Sequence, residues 1–160
     1  MKKLVILMLS LFLLCGCQPK KDEHISYDDY LKIKSQLELC ESFNEYYNFE
    51  VSLVFNPIKN QYRYDVIIDN PATPMYNILA VAYAGEEDNA ICPNIGLFDA
   101  MQYHLVPGLI DKENGYYKGI NLSGIVEKEK TVKLYVSYYM ESECKTKVEK
   151  YIEVSESEIR

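Results

Sequence analysis

The chain lacks the excess of positive charge that nucleic-acid-binding proteins carry. It has 17 Lys and Arg against 24 Asp and Glu, and its formal net charge is −7. Phosphate backbones attract basic surfaces, so this balance argues against nucleic acid as a partner and against extra attraction to anionic lipid. The sequence also contains no tryptophan, no internal repeat and no low-complexity tract. It does contain 15 tyrosines, and its apolar fraction of 48% is enough for one ordinary core but not for two.

The apolar run at the N-terminus is too short to span a bilayer comfortably. It is LVILMLSLFLL, residues 4–14, and it follows two lysines, as the h-region of a secretory signal does. The small Gly16 precedes Cys17, which suits signal-peptide cleavage there. Residues 14–17, LCGC, resemble the lipobox of bacterial lipoproteins, with Cys15 standing where Ser, Ala or Thr is commoner.

The lipobox resemblance implies that Cys17 receives a diacylglyceryl group and becomes the mature N-terminus. Two acyl chains anchor a protein stably in a membrane, whereas a single chain binds reversibly, because each buried methylene contributes about 0.8 kcal/mol. We therefore expect a signal peptide at 1–16, a lipidated tether at 17–25 and a folded domain at 26–160, anchored on the extracytoplasmic side of the cell membrane. Cleavage would remove two lysines and no acidic residue. A cleaved signal without lipid and an uncleaved membrane helix are the alternatives.

A helix is predicted at the start of the folded domain. Ser26 and Asp29 have the spacing of a capping box, and apolar residues then recur at helical intervals. This pattern predicts a helix over about 27–43. The recurring residues, which we expect to face the core, are Tyr30, Ile33, Leu37 and Cys40.

Strand patterns dominate the rest of the chain, because the apolar period shifts to two after Tyr46. Asn56-Pro57 is expected to open a turn that closes at Lys59-Asn60. Residues 90–116 show no clear period, and Met101–Val106 is the segment there that most favours a strand. About seven short strands without strand-helix alternation predict an antiparallel sandwich.

The C-terminal strands carry a second resemblance. The segment 117–124, followed by 133–139 and 150–152, resembles the last three strands of immunoglobulin-like domains on Gram-positive surface lipoproteins. The resemblance implies a mainly β, immunoglobulin-like antiparallel sandwich of about seven strands with one N-terminal helix. It implies no activity, because such domains serve many functions.

Three cysteines remain in the expected mature chain beyond Cys17. If successive strands run antiparallel, the segment before the first strand and the turn before the last strand fall at one end of the sandwich. This reasoning places Cys40 near Cys144 and predicts a disulfide that closes a loop of about a hundred residues, worth roughly 4 kcal/mol. Separate thiols are the alternative.

No catalytic or cofactor motif is present. Cys92, Asp99 and His104 could form a nucleophile, base and orienting acid, as in cell-wall hydrolases. However, Cys92 has no positive surroundings in the sequence to activate it. Two potential ligands, Cys92 and His104, fall short of a metal site. The acidic run 86–89 lacks the ligand spacing of a calcium loop and is read as a solvated turn.

The tyrosines suggest a contact surface. On a strand over residues 132–139, Tyr135 and Tyr139 are expected to share an exposed face with Lys133 and to contact a surface protein or a glycan. Ordinary strand packing of tyrosine is the alternative. The sequence thus predicts a non-catalytic binding or structural lipoprotein without a cofactor. An accessory subunit of a transport or secretion complex remains an alternative, as does a hydrolase that uses Cys92 and His104.

Overall fold

The computed structural model describes residues 27–85, 91–98 and 101–156. In these residues one α-helix, α1 (Tyr27–Leu39), precedes seven strands, and a short 3-10 helix spans Lys112–Asn114. The strands, in chain order, are β1 (Glu50–Ile58), β2 (Gln61–Asp69), β3 (Tyr76–Tyr83), β4 (Asn94–Ile95), β5 (Gly119–Val126), β6 (Val132–Tyr139) and β7 (Lys147–Val154). The predicted signal peptide, Cys17 and the capping residue Ser26 lie outside the described residues.

The strands form two antiparallel sheets that face each other. One has the order β1-β2-β5, and the other has the order β4-β3-β6-β7. In immunoglobulin domains the first, second and fifth strands likewise oppose the third, sixth and seventh. Here the fourth strand pairs with the third. The predicted immunoglobulin-like sandwich of seven strands with one N-terminal helix is therefore confirmed.

The main core lies between the sheets and is built from the inward-facing set of each strand. Leu53 and Phe55 of β1 and Leu122 of β5 meet Leu134 and Val136 of β6 there. Each of these residues alternates with an outward neighbour, as the period of two in the sequence predicts.

Helix α1 packs across the outer face of the four-stranded sheet. Tyr30, Ile33 and Leu37 recur at helical spacing and are buried against this sheet. The prediction that the helix faces the core is confirmed for these three residues. Cys40 is excluded from it because the helix ends at Leu39, four residues before the predicted end. A second, smaller core therefore lies between α1 and the sheet.

Two local predictions are wrong. Pro57 continues β1 and pairs with Tyr62, so that the turn is confined to Lys59 and Asn60. A proline is tolerated there because β1 is an edge strand, where one side of the backbone needs no ladder bond. The segment 101–106 makes only isolated bridges, such as Met75 with Leu105, and the fourth strand is Asn94–Ile95 instead.

A bulge in β3 accounts for the missing strand at 101–106. The register of β3 against β6 shifts between Tyr76 and Leu79, and Asn77 has a left-handed φ of 47°. Asparagine tolerates this conformation better than most residues. The bulge interrupts the edge of β3, so segment 101–106 cannot pair with it continuously.

Candidate functional site

The predicted contact surface of Tyr135, Tyr139 and Lys133 does not exist as an exposed face. Tyr135 is only 3% exposed because α1 covers that side of β6. Tyr139 is half-buried. The sequence pattern placed these residues on one face correctly, but it could not show which sheet the helix would cover.

Two of these residues make structural contacts instead, Tyr135 with β7 and Lys133 with the end of α1. The Tyr135 hydroxyl donates a hydrogen bond of 2.7 Å to Glu149 Oε1, and its ring lies 5.1 Å from that of Tyr151. Burial, followed by the bond to Glu149, raises the pKa of Tyr135. Lys133 Nζ donates to the carbonyl oxygens of Glu38 and Cys40, at 3.1 and 2.8 Å. This cation satisfies carbonyls that the helix end leaves open.

The predicted disulfide is also not formed. Cys40 and Cys144 are both thiols in the structure. Cys40 lies at the start of β6, where it contacts Lys133, whereas Cys144 lies in the turn that follows β6. An eight-residue strand separates these positions by roughly 25 Å, which no disulfide can span.

The path of residues 40–49 explains this error. The Asn44 N–H donates to Tyr151 O at 2.7 Å, and the Tyr151 N–H donates to Asn44 Oδ1 at 2.8 Å. Lys150 Nζ donates to Tyr46 O at 3.0 Å. The segment therefore runs along the outer edge of β7, and Cys40 is at the other end of the sheet from the start of β1.

Cys92 and His104 are not brought together. Cys92 is buried beneath α1, where its N–H donates to the Tyr30 hydroxyl at 2.8 Å. His104 lies near the start of β3 beside Asn77, while Cys92 lies beside the end of β3, roughly 15 Å away along the strand. The third member of the predicted set, Asp99, lies outside the described residues. So does the acidic run 86–89.

His104 has a different role at the loop end of the sandwich. Its Nδ1 accepts the Asn77 backbone N–H at 3.0 Å, and its ring lies 4.8 Å from that of Tyr116. Burial lowers the pKa of His104. The Asn77 side chain donates to Cys144 Sγ. The neutral imidazole therefore satisfies the backbone at the bulge of β3.

The segment 103–118 forms a compact loop at this end. The His104 N–H donates to Gly115 O, and the Tyr117 N–H donates to His104 O, at 2.8 and 2.9 Å. The rings of Tyr103 and Tyr117 stack with centroids 5.4 Å apart. These contacts hold the loop in one arrangement, together with a short 3-10 helix at Lys112–Asn114. Compact loops of this kind are frequently functional.

A turn within this loop presents apolar side chains to solvent. The Leu109 N–H donates to Val106 O at 3.1 Å, and Gly108 has a φ of 76°. Pro107 before a left-handed glycine is a pairing that favours a type II turn. Leu109 is 42% exposed and Ile110 is 59% exposed.

The turn borders the candidate site, an open groove of about 450 Å³. It is lined by residues 106–110 together with Asn70, Pro71, Tyr117 and Lys118. Most of the lining is apolar, and Lys118 supplies one charge at the margin. Such a surface suits binding through apolar contacts, with a few polar groups to orient the ligand.

The sequence did not identify this groove. The turn-forming pairs Asn70-Pro71 and Pro107-Gly108 are visible in it, and they are the only local signals. The groove lies where the paired backbone bonds of Met75 with Leu105 and the bond from Asn77 to His104 join the chain that follows Pro71 to the loop 103–118.

A polar cluster on the outer face of the three-stranded sheet was also missed. Asp65 Oδ1 accepts hydrogen bonds from Ser123 Oγ at 2.5 Å, Asn121 Nδ2 at 2.8 Å and Arg63 Nη2 at 2.8 Å. Burial opposes ionisation of Asp65, but these bonds and the charge of Arg63 outweigh it and lower the pKa. These three donors all lie on β2 and β5, so the cluster stabilises the pairing of these two strands.

Neither a metal-binding cluster nor a membrane-spanning helix is found within the described parts of the chain. No group of three or more His, Cys, Asp or Glu residues there could hold a metal ion. The helix in these parts is not long and apolar enough to cross a membrane.

No protein-family model matches the chain, and comparison with curated proteins finds no significant similarity.

Proposed function

We propose that the chain is an extracytoplasmic lipoprotein that is anchored through Cys17 and binds a partner in the groove beside residues 106–110. The observation that carries the binding role is the pair of exposed side chains Leu109 and Ile110 on an ordered, hydrogen-bonded loop. An immobilised apolar surface loses little conformational entropy on binding, and that favours association.

The lining of the groove favours a protein partner over a glycan. Five of its nine lining residues belong to the continuous stretch 106–110, and Val106, Leu109 and Ile110 are aliphatic. Aliphatic side chains gain most by covering apolar surface, which a peptide segment supplies and a sugar largely does not. Lys118 at the margin suits an acidic or carbonyl-rich edge of such a segment.

The anchor is supported by the LCGC stretch at residues 14–17 and by the preceding apolar run. Metabolic labelling with an alkynyl fatty acid in a lipidating bacterial host tests this part. We expect the wild-type chain and Cys15→Ser to be labelled and Cys17→Ser to be unlabelled. An unlabelled wild-type chain, or a labelled Cys17→Ser variant, would contradict lipidation at this sulfur.

The groove is tested separately with a photo-crosslinking amino acid placed at Leu109 in intact cells. Ile58 provides the matched control, because it is 45% exposed but lies in the β1–β2 hairpin, away from the groove. We expect a specific protein adduct from position 109 and none from position 58. Ile110→Asp should abolish the adduct while the protein remains folded.

Equal adducts at positions 58 and 109, or an adduct that Ile110→Asp leaves unchanged, would contradict binding in the groove. Adducts with a subunit of a transport or secretion complex would identify the role as an accessory one.

A further inference from the structure

The outer edge of β5 is an open strand edge. β5 is the last strand in the order β1-β2-β5. Within the described parts of the chain, no backbone hydrogen bond joins β5 to any segment other than β2. Native proteins usually block such edges, because unpaired N–H and C=O groups act as a template for another strand.

The other three edges are each blocked or short. β1 contains Pro57. β7 is covered by the segment around Asn44, which bonds to Tyr151. β4 has only two residues. β5 has eight residues, GINLSGIV, with no charge and no proline.

The register shows which β5 groups point outward. Pro57 has no N–H, so the Pro57–Tyr62 pair cannot be a hydrogen-bonded pair of the β1–β2 ladder. The backbone of Tyr62 therefore points to β5, where it faces Val126. Since pairs alternate along the ladder, every second residue of β5 points away from β2. These residues are Gly119, Asn121, Ser123 and Ile125.

We propose that this edge pairs with the β5 edge of a second copy, antiparallel and centred on Leu122. This register places Gly119 opposite Ile125 of the other copy and Asn121 opposite Ser123. All four outward residues of each strand are then used. Ile125, which is 52% exposed, is covered by backbone at a glycine, and the two polar side chains face each other.

The charges at the two ends of β5 are compatible with a second copy as the occupant of this edge. The whole chain has a net charge of −7, yet the pairing segment carries no charge, so two copies approach there without direct repulsion. Antiparallel pairing also brings Lys118, which immediately precedes β5, close to Glu127 of the other copy, which immediately follows β5. Both side chains are exposed, and their charges are opposite.

The test uses the full chain purified in detergent, with mass measured by light scattering over a concentration series. We expect a monomer–dimer equilibrium. Ile125→Pro should weaken dimerisation by at least about tenfold, because it removes one outward N–H from each copy. Ile125→Ala, the matched control, keeps that N–H and should still dimerise.

Hydrogen–deuterium exchange of residues 119–126 gives an independent readout on the unaltered chain. In the monomer the outward amides should exchange quickly and the β2-facing amides slowly. On dimerisation about four more amides per copy should become protected. A chain that stays monomeric, a dimer without this protection, or a dimer that Ile125→Pro leaves intact would overturn the proposal.

Discussion

The two sheets of the sandwich differ on their outer faces. Helix α1 covers the outer face of β3 and β6, where Val81 and Tyr135 are buried. On β2 and β5 the corresponding positions carry a polar network centred on Asp65. On both sheets the outward-facing residues alternate along each strand with residues of the same core. The alternation of apolar residues alone therefore does not distinguish the two outer faces. The difference lies in whether the outward set is apolar or forms its own hydrogen bonds.

The strongest test of this comparison is truncation of Tyr135. We expect Tyr135→Ala to lower the free energy of unfolding by about 3–5 kcal/mol, because it empties a buried site between β6 and α1. Tyr139→Ala serves as the control and should cost clearly less, since Tyr139 is half-buried. Urea denaturation measures both. Equal, small effects would show that α1 does not cover this face.

On the three-stranded sheet, which the helix does not cover, Asp65→Ala should lower the free energy of unfolding by about 2 kcal/mol. The substitution leaves Arg63, Asn121 and Ser123 without their shared acceptor. The lowered pKa means that the carboxylate stabilises the fold at neutral pH. That contribution is lost as the pH falls below about 4, through the folded-state pKa. Denaturation at several pH values should show this loss in the wild type and not in Asp65→Ala.

The helix-covered face also depends on one buried hydroxyl. Tyr30→Phe keeps the ring but removes the acceptor of the Cys92 N–H, and it should cost about 1 kcal/mol. Burial raises the pKa of Tyr30 to about 12, so the hydroxyl stays protonated throughout the stable range. Chemical denaturation should give a smaller loss than for Tyr135→Ala. Leu39→Ala, at a site 77% exposed, is the control and should be close to neutral.

The smallest effect is expected from His104, at the loop end that both sheets share. Its folded-state pKa is lowered, so its contribution is present above the unfolded value of about 6.5 and is lost as the pH falls below that value. The Tm of the wild type should therefore drop more between pH 7.5 and pH 5.5 than that of His104→Gln. Identical drops in the two proteins would contradict this role of the imidazole.

The sandwich could be predicted because its strands carry their pattern locally. Val132, Leu134, Val136 and Tyr138 alternate within eight residues, and each is buried. The stripe of Tyr30, Ile33 and Leu37 was equally readable. These features need no knowledge of distant contacts.

The groove and the contact residues could not be predicted, because they depend on long-range packing. Whether Tyr135 is exposed depends on where α1 docks, and the position of Cys40 depends on the path of residues 40–49 along β7. The loop at 103–118 is held by backbone bonds of His104 and by the bulge at Asn77, which leave little trace in the sequence. The spacing of apolar side chains indicates which residues share a face of a strand or helix, but it does not show which other element covers that face.

The path of residues 40–49 has a mechanical consequence for a chain held by its N-terminus. A pulling force applied there would load α1 first and then peel this segment from β6 and β7 one bond at a time, starting with the contacts of Lys133 and Asn44. Only afterwards would force reach the nine-residue ladder between β1 and β2. The helix and the segment would act as an extensible leader that yields before the sandwich does.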